Sequence, residues 1–187
     1  MKTGQLISTF LVGALVGAGV VYAFVPHSSG GQLSVSNPGR VEVLREGNTQ
    51  PDVAGKAKYA NAHYGFSLIY PDALVVNEVP ASEDAMTVVF QKPGAEEGFQ
   101  IFIVPYPDSQ ISKERIQKDL RGAPMKNVTE IVLAGNAKAV HFNSQAPVIG
   151  ESSEVWFIHS GYLFEVTTYA NQDAQLATIL ATLQFTK

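Results

Sequence analysis

Histidine is the residue type in this chain best suited to metal binding or proton transfer. The four histidines are His27, His63, His141 and His159. None lies three or four residues from another, the spacing at which one helix face presents two metal ligands. His141 and His159 fall in predicted strands and could be neighbours across a sheet, which leaves a zinc or copper site as an alternative. We favour partly buried polar residues at a sheet edge and predict no metal site.

Motifs for nucleophilic catalysis and for phosphate binding are missing from the sequence. The chain has no cysteine, no Gly-x-Ser-x-Gly turn and no glycine-rich phosphate loop. Ser67 follows a glycine by two positions, but the pattern around it predicts the middle of a strand. We therefore predict no catalytic residue and no cofactor.

Acidic and basic clusters offer weaker chemistry. Two acidic pairs, Glu83-Asp84 and Glu96-Glu97, lie in loops rich in glycine and proline. They lack the ladder of oxygen ligands of an EF-hand, so we interpret them as solvated loop charges. Lys113, Arg115 and Lys118 form a basic cluster on a predicted helix. They are candidates for contact with an acidic partner, although a solvated helix face is the default interpretation.

Overall composition excludes several protein classes. The chain has 187 residues and a formal charge of −4, which argues against non-specific nucleic-acid binding. The absence of cysteine excludes disulfides, iron–sulfur clusters, zinc fingers and an acylated lipoprotein cysteine. Hydrophobic residues make up 45% of the chain, which is enough for a packed core.

The N-terminal segment predicts export of the rest of the chain. Leu6–Val25 is an uncharged apolar stretch of about 20 residues, the length of a membrane-spanning helix. Lys2 precedes it, and no lysine or arginine follows until Arg40, so the N-terminus is expected in the cytoplasm. A signal peptide cleaved after Ala23 is the alternative. We predict a single-pass anchor in the cell membrane that holds an extracytoplasmic domain.

Domain boundaries follow from changes in composition. Residues 1–25 form the predicted transmembrane anchor or signal peptide. Residues 26–58 are rich in proline and glycine, and their few apolar residues predict a flexible linker. Residues 59–187 contain the only tryptophan and most of the aromatic residues, so they form the predicted globular domain.

Within that domain the apolar residues alternate with a period of two, which favours strands. Single strands are predicted at Phe66–Tyr70, Leu74–Val79, Met86–Lys92 and Phe99–Val104. Two hairpins are predicted at Glu130–Ser144 and Ser153–Ala170, with tight turns at Gly135-Asn136 and Ser160-Gly161.

Two segments have helical periodicity instead. Ser112 is the predicted cap of a helix over Lys113–Arg121, and Asn171 that of a helix over Gln172–Thr182. The strands follow one another through hairpins rather than through helical crossovers. We therefore predict an α+β fold in which helices pack on an antiparallel sheet, preceded by one transmembrane helix.

The segment Tyr64–Pro71 reads Tyr-Gly-Phe-Ser-Leu-Ile-Tyr-Pro, which resembles the opening signature of PsbP-like domains. The Leu-Ala-Gly-x-Ala pattern at Leu133–Ala137 and the terminal Gln184-Phe185 are similar to that family as well. The resemblance covers residues 59–187 and implies the PsbP/Mog1-like α/β/α sandwich. It also implies a non-catalytic extracytoplasmic interaction module, with no metal site carried over.

Three functional hypotheses follow for the exported domain. The first is a non-catalytic module that binds an envelope protein or another envelope component, with the membrane contacted through the N-terminal helix and no nucleic-acid partner. An exported hydrolase with a site built from dispersed residues, or a small-ligand carrier with a groove between helix and sheet, is the alternative. The candidate partner contacts are Trp156, Tyr162, Tyr169, Lys113, Arg115 and Lys118.

Overall fold

Ten strands and two α-helices form the part of the chain described by the computed structural model, residues 55–146 and 149–186. The strands are β1 Lys56–Asn61, β2 Phe66–Pro71, β3 Val75–Pro80, β4 Met86–Gln91, β5 Gly98–Pro105, β6 Lys126–Val132, β7 Lys138–Ala146, β8 Gly150–His159, β9 Tyr162–Tyr169 and β10 Gln184–Phe185. The helices are α1 Lys113–Asp119 and α2 Asp173–Leu180, and short 3₁₀ turns lie at Ala134–Asn136 and Ala170–Gln172.

Seven of the strands form one antiparallel sheet in the order β3-β4-β5-β9-β8-β7-β6. Consecutive strands are mostly neighbours, as short connections require. The exception is the β5–β9 pair, where Phe99 lies opposite Thr168. The strands β6, β7 and β8 therefore all lie on the far side of β9 from β5, and β5 is an interior strand. Its nearly continuous apolar sequence suits that position.

A second antiparallel sheet has the order β1-β2-β10. Its middle strand is β2, which was predicted at Phe66–Tyr70 and carries most of the Tyr64–Pro71 signature. Strand β1 was not predicted, and it begins at Lys56, inside the segment assigned to the linker. The reason is that Ala57 and Tyr59 are the only apolar side chains of β1 packed against the core, so the pattern by itself is too weak to signal a strand until β2 pairs with it.

Each face of the large sheet carries its own apolar cluster. On the first face, the small sheet and α2 pack against strands β4, β5, β8 and β9. Phe66 of β2 meets Phe164 of β9 edge-to-face at 5.4 Å, and Phe164 stacks on Phe157 at 4.9 Å. On the second face, Ile116 of α1 packs with Trp156 and Phe142. The two layers thus use alternate residues of the same strands.

The two predicted hairpin turns differ in form. Ser160 and Gly161 both have positive φ, 51° and 81°, and β8 and β9 meet directly at His159 and Tyr162. This confirms the tight two-residue turn. The β6–β7 connection is longer, because β6 ends at Val132 and β7 begins at Lys138. Its 3₁₀ turn takes the place of the predicted two-residue turn.

Helix caps follow the prediction at one helix only. The Ser112 hydroxyl accepts a hydrogen bond from the backbone N–H of Arg115 at 3.1 Å, as expected for an N-cap. Asn171 does not cap α2; the N-cap position belongs to Gln172, which makes no side-chain cap bond. Instead the Gln172 side chain binds the β5 region, and this tertiary contact overrides the local capping preference.

The expected antiparallel sheet with helices on it is thus present, although strands also form part of one covering layer. No helix within residues 55–146 and 149–186 is long and apolar enough to cross a bilayer. The predicted span Leu6–Val25 lies outside the described residues.

Candidate functional site

A groove of about 510 Å³ runs between α2 and the β6–β7–β8 end of the large sheet. Its floor is formed by Ile131, His141 and Val155, one from each of these strands. They share the first face of the sheet, because Ile131 is opposite Ala139 and His141 is opposite Val155 in the register. The rest of the lining is mainly apolar, which is typical of ligand sites with a few placed polar groups.

The groove exists because of the side chains that α2 turns toward it. Leu176 and Leu180 are buried and hold the helix on the core. Ala177 and Ala181 line the groove and are exposed. Their methyl groups do not fill the space above β6 and β7, so the sheet extends beyond the helix and leaves an open channel.

One polar cluster lies in the groove. His141 Nε2 is 3.0 Å from Asp173 Oδ1 and 3.1 Å from Ser153 Oγ. The Ser153 hydroxyl donates to the same Asp173 oxygen at 2.5 Å. On the other side of the ring, His141 Nδ1 is 3.3 Å from the Thr129 hydroxyl. Asp173 is the first residue of α2, where a negative charge is favourable.

This cluster differs from a serine hydrolase triad. There, the nucleophile and the carboxylate bind opposite ring nitrogens of histidine. Here Ser153 and Asp173 meet the same nitrogen, and the Ser153 hydroxyl is directed at the carboxylate. Ser153 is also fully buried, so a substrate cannot reach it. The arrangement suits recognition of a polar group better than nucleophilic attack.

Metal binding would draw on the His141–Asp173 pair. The pair offers two ligands, whereas structural and catalytic zinc sites use three or four protein ligands. Within the described ranges no three histidine, aspartate or glutamate side chains are grouped closely enough to hold a metal ion.

The start of α2 is fastened to the sheet, which fixes Asp173. Gln172 Oε1 accepts a hydrogen bond from the Gly98 N–H at 2.9 Å, and its Nε2 donates to the Glu96 carbonyl at 2.8 Å. The Thr168 hydroxyl donates to the Gly98 carbonyl at 2.8 Å. The glycine backbone therefore joins β5, β9 and the beginning of the helix.

The aromatic residues predicted as a contact surface do not lie together. Trp156 is 3% exposed and packs in the core beneath α1, which removes it from any surface contact. Tyr162 and Tyr169 are half-buried at the two ends of β9, seven residues apart, and so they face opposite sides of the sheet. Tyr162 packs edge-to-face on Tyr64 at 5.0 Å. The residues are dispersed because one strand distributes its side chains over two layers.

The basic residues of α1 are exposed, as predicted. Lys113 lies 3.5 Å from Glu130, and Arg115 Nε bonds Asp119 at 2.9 Å. The Arg115 guanidinium also sits 5.2 Å from the centre of the Tyr106 ring. These contacts use carboxylates of the chain itself. Contact of Lys113, Arg115 and Lys118 with an acidic partner stays a prediction.

The two strand histidines are not neighbours. His141 is opposite Val155, four residues before His159 along β8. His159 instead stacks on Phe185 at 3.9 Å, and burial lowers its pKa. The register therefore rules out the paired-histidine metal site considered above.

Two buried glutamates on the second face were missed by sequence reasoning. Glu154 accepts hydrogen bonds from the hydroxyls of Ser152 and Thr167, both at 2.8 Å, and burial raises its pKa to about 7. Burial, and then the neighbouring charge of Glu154, raise the pKa of Glu165 well above its usual range. Glu165 Oε1 has no hydrogen-bond partner. The available signal was that Glu154 shares a strand face with Trp156.

Comparison with known proteins identifies the type of fold. No protein-family model and no curated protein matches the chain. The solution structure of cyanobacterial PsbP (CyanoP) from Synechocystis sp. PCC 6803 is similar, with a TM-score of 0.52 and 13% sequence identity. The match covers 81% of this chain and 98% of the other. The fold is therefore PsbP-like, as the sequence signature predicted.

Proposed function

We propose that this chain is a membrane-tethered, extracytoplasmic binding module without catalytic activity. Its ligand site is the groove between α2 and the β6–β7–β8 end of the sheet. An apolar part of the ligand packs on Ile131 and Leu180, and a polar group meets His141 and Asp173. The groove itself is the observation that carries the proposal, because it combines an apolar lining with one polar cluster.

The tether supports the location proposed for this module. An apolar stretch such as Leu6–Val25 exports whatever follows it, whether it stays as an anchor or is cleaved. The polar cluster supports binding over hydrolysis, because its serine is buried and points at a carboxylate. Binding needs only that His141 and Asp173 stay accessible from the groove, where their side chains are 21% and 47% exposed.

Occupancy of the groove can be tested with single cysteines, since the chain has none of its own. We expect Ala177→Cys to react with a charged maleimide about tenfold more slowly in native membranes than in purified full-length protein, because bound ligand covers the groove. Ala174→Cys is the matched control: the residue is exposed on the same helix and does not line the groove. Its reactivity should be equal in both preparations.

Labelling of Ala177→Cys at the same rate in native membranes as in purified protein would show an empty groove and contradict the proposal. Hydrolysis of a generic aryl ester that disappears in Thr129→Ala would contradict its non-catalytic part. That variant removes the exposed hydroxyl beside the His141 ring while leaving the groove lining unchanged.

The location has its own prediction. In intact cells, a maleimide that does not cross the cytoplasmic membrane should label Ala174→Cys as completely as it does after lysis, because the domain faces outward. The labelled protein should also stay with the membrane fraction after an alkaline wash. Labelling that appears only after lysis would place the domain in the cytoplasm and refute the tether.

A further inference from the structure

The groove opens at a free edge of the large sheet. Strand β6 is the last in the sheet order and pairs only with β7 among the described residues. Its outer backbone N–H and C=O groups are therefore available to another strand. Ile131, Val132 and Leu133, at the end of β6 and just beyond it, also line the groove. The groove and the edge are thus parts of one surface.

Exposure of apolar side chains points to the same place. Among the described residues, the exposed large hydrophobic side chains are Val132, at 69%, and Val75, at 49%. They lie on β6 and β3, the two edge strands of the sheet. Only the β6 edge adjoins the groove, because Val75 does not line it.

We infer that the ligand is an extended peptide of a partner protein that pairs with β6 and places an apolar side chain in the groove. This inference rests on the proposed function and names its ligand class. A strand added to the sheet lies about 4.8 Å beyond β6, and alternate side chains point to the first face. There they fall beside Ile131 and below Ala177 and Ala181, where α2 leaves space.

The β6 edge limits the length of the added strand. The β6–β7 register shifts between Lys126 and Thr129, and Asn127 has a positive φ of 53°. Such a bulge twists the backbone away from regular pairing. The regular part of the edge is therefore Thr129–Val132, beside the groove, and the contact is a short strand of about four residues.

Charge specifies one further feature of the peptide. Both hydrogen bonds to the Asp173 carboxylate use Oδ1, and the side chain is 47% exposed. Its other oxygen can accept from a lysine or arginine of the ligand. The chemistry of the partner is therefore an apolar β-type segment followed or preceded by a basic residue. A lipid chain would fill the groove but leave the edge of β6 unpaired.

The test uses the full chain in mild detergent and a short fluorescent peptide. The peptide alternates threonine and valine, with a central leucine and a terminal arginine. We expect fluorescence anisotropy to show binding that Val132→Lys weakens about tenfold or more. A lysine on an edge strand opposes added strands. Val75→Lys, the same change on the other edge, is the matched control and should bind like the parent protein.

Two changes test the mode of binding. A peptide methylated on alternate backbone nitrogens should lose binding, because it cannot pair with β6. Asp173→Asn should weaken binding of the arginine peptide by a larger factor than binding of a version that carries glutamine in place of the arginine. Binding that survives both Val132→Lys and backbone methylation would overturn the inference.

Failure of this inference can be separated from failure of the proposed function. If Ala177→Cys is protected in native membranes but the peptide neither binds nor slows its labelling, the groove binds a non-peptide ligand and the inference is wrong. If the cysteine is unprotected as well, both the inference and the proposed function are wrong. If the full chain self-associates and Val132→Lys abolishes this, the strand partner is a second copy and the inference of a separate partner protein is wrong.

Discussion

The free energy of unfolding is expected to fall by about 3 kcal/mol as the pH rises from 4.5 to 7, the interval between the ordinary pKa of Glu154 and its raised value. Glu165 acts in the same direction, because burial raises its pKa as well. The stability of this domain should therefore be greatest in mild acid, the reverse of the usual behaviour of paired carboxylates.

The sign follows from proton uptake. In the unfolded chain Glu154 ionises near pH 4.5, whereas in the folded chain it keeps its proton up to about pH 7. Between these values folding takes up a proton, so raising the pH favours the unfolded state. The stabilising contribution is complete below the lower pKa and is lost as the pH passes through the upper one. Glu165, Asp119 and the three donors around Glu154 are the polar and charged groups nearby.

Chemical denaturation of the full chain in detergent at pH 5 and pH 8 measures the effect. Glu154→Gln mimics the protonated side chain and should flatten the pH dependence. Glu151→Gln, an exposed glutamate on the same strand, is the control and should behave like the parent. Equal stability at both pH values, or an unchanged slope in Glu154→Gln, would contradict the prediction.

Gly98→Ala is the single substitution expected to destabilise the fold most sharply, by about 3 kcal/mol or more. Gly98 has a φ of +151°, and a Cβ placed there would lie 2.1 Å from the Phe90 carbonyl oxygen. Neither β4 nor β5 can move away without breaking the sheet ladder between them. The change should also loosen the start of α2, because the Gly98 backbone binds Gln172 and Thr168.

Gly94→Ala is the matched control for that prediction. Gly94 has a positive φ of +73°, but nothing lies within 4 Å of a Cβ added there. Gly94→Ala should therefore lower the free energy of unfolding only by the backbone strain of alanine at a positive φ, about 1 kcal/mol. Thermal unfolding of both variants checks the difference, and similar melting temperatures would show that the close approach at Gly98 is not decisive.

Much of the fold could be predicted from local sequence because strand alternation and turn residues agree with it. The Ser160-Gly161 turn needs only residues that accept a positive φ, and the Ser112 cap needs only a side-chain hydroxyl. Both requirements are local properties of the sequence. Strand β1 and the cap of α2 were missed or misplaced because distant partners decide them. Lys56–Asn61 needs β2, and Gln172 needs the backbone of Gly98.

The candidate site was largely beyond prediction for a related reason. Thr129, His141, Ser153 and Asp173 come from three strands and a helix, and no sequence spacing joins them. His141 was singled out, but its predicted neighbour was His159, because the register between β7 and β8 was unknown. Trp156 was predicted to contact a partner because the sequence alone does not show which face of the sheet a strand residue points to. Its burial is decided by α1, which packs over it.

The order of the strands has a consequence for biosynthesis. Strand β2 is completed on one side only by Gln184 and Phe185, more than a hundred residues downstream, and β5 is completed only by β9, some sixty residues downstream. Neither sheet can close until these downstream strands have been synthesised. A polypeptide interrupted shortly before Gln184 would thus present an open strand edge to its surroundings, a template for aggregation and a target for quality-control proteases.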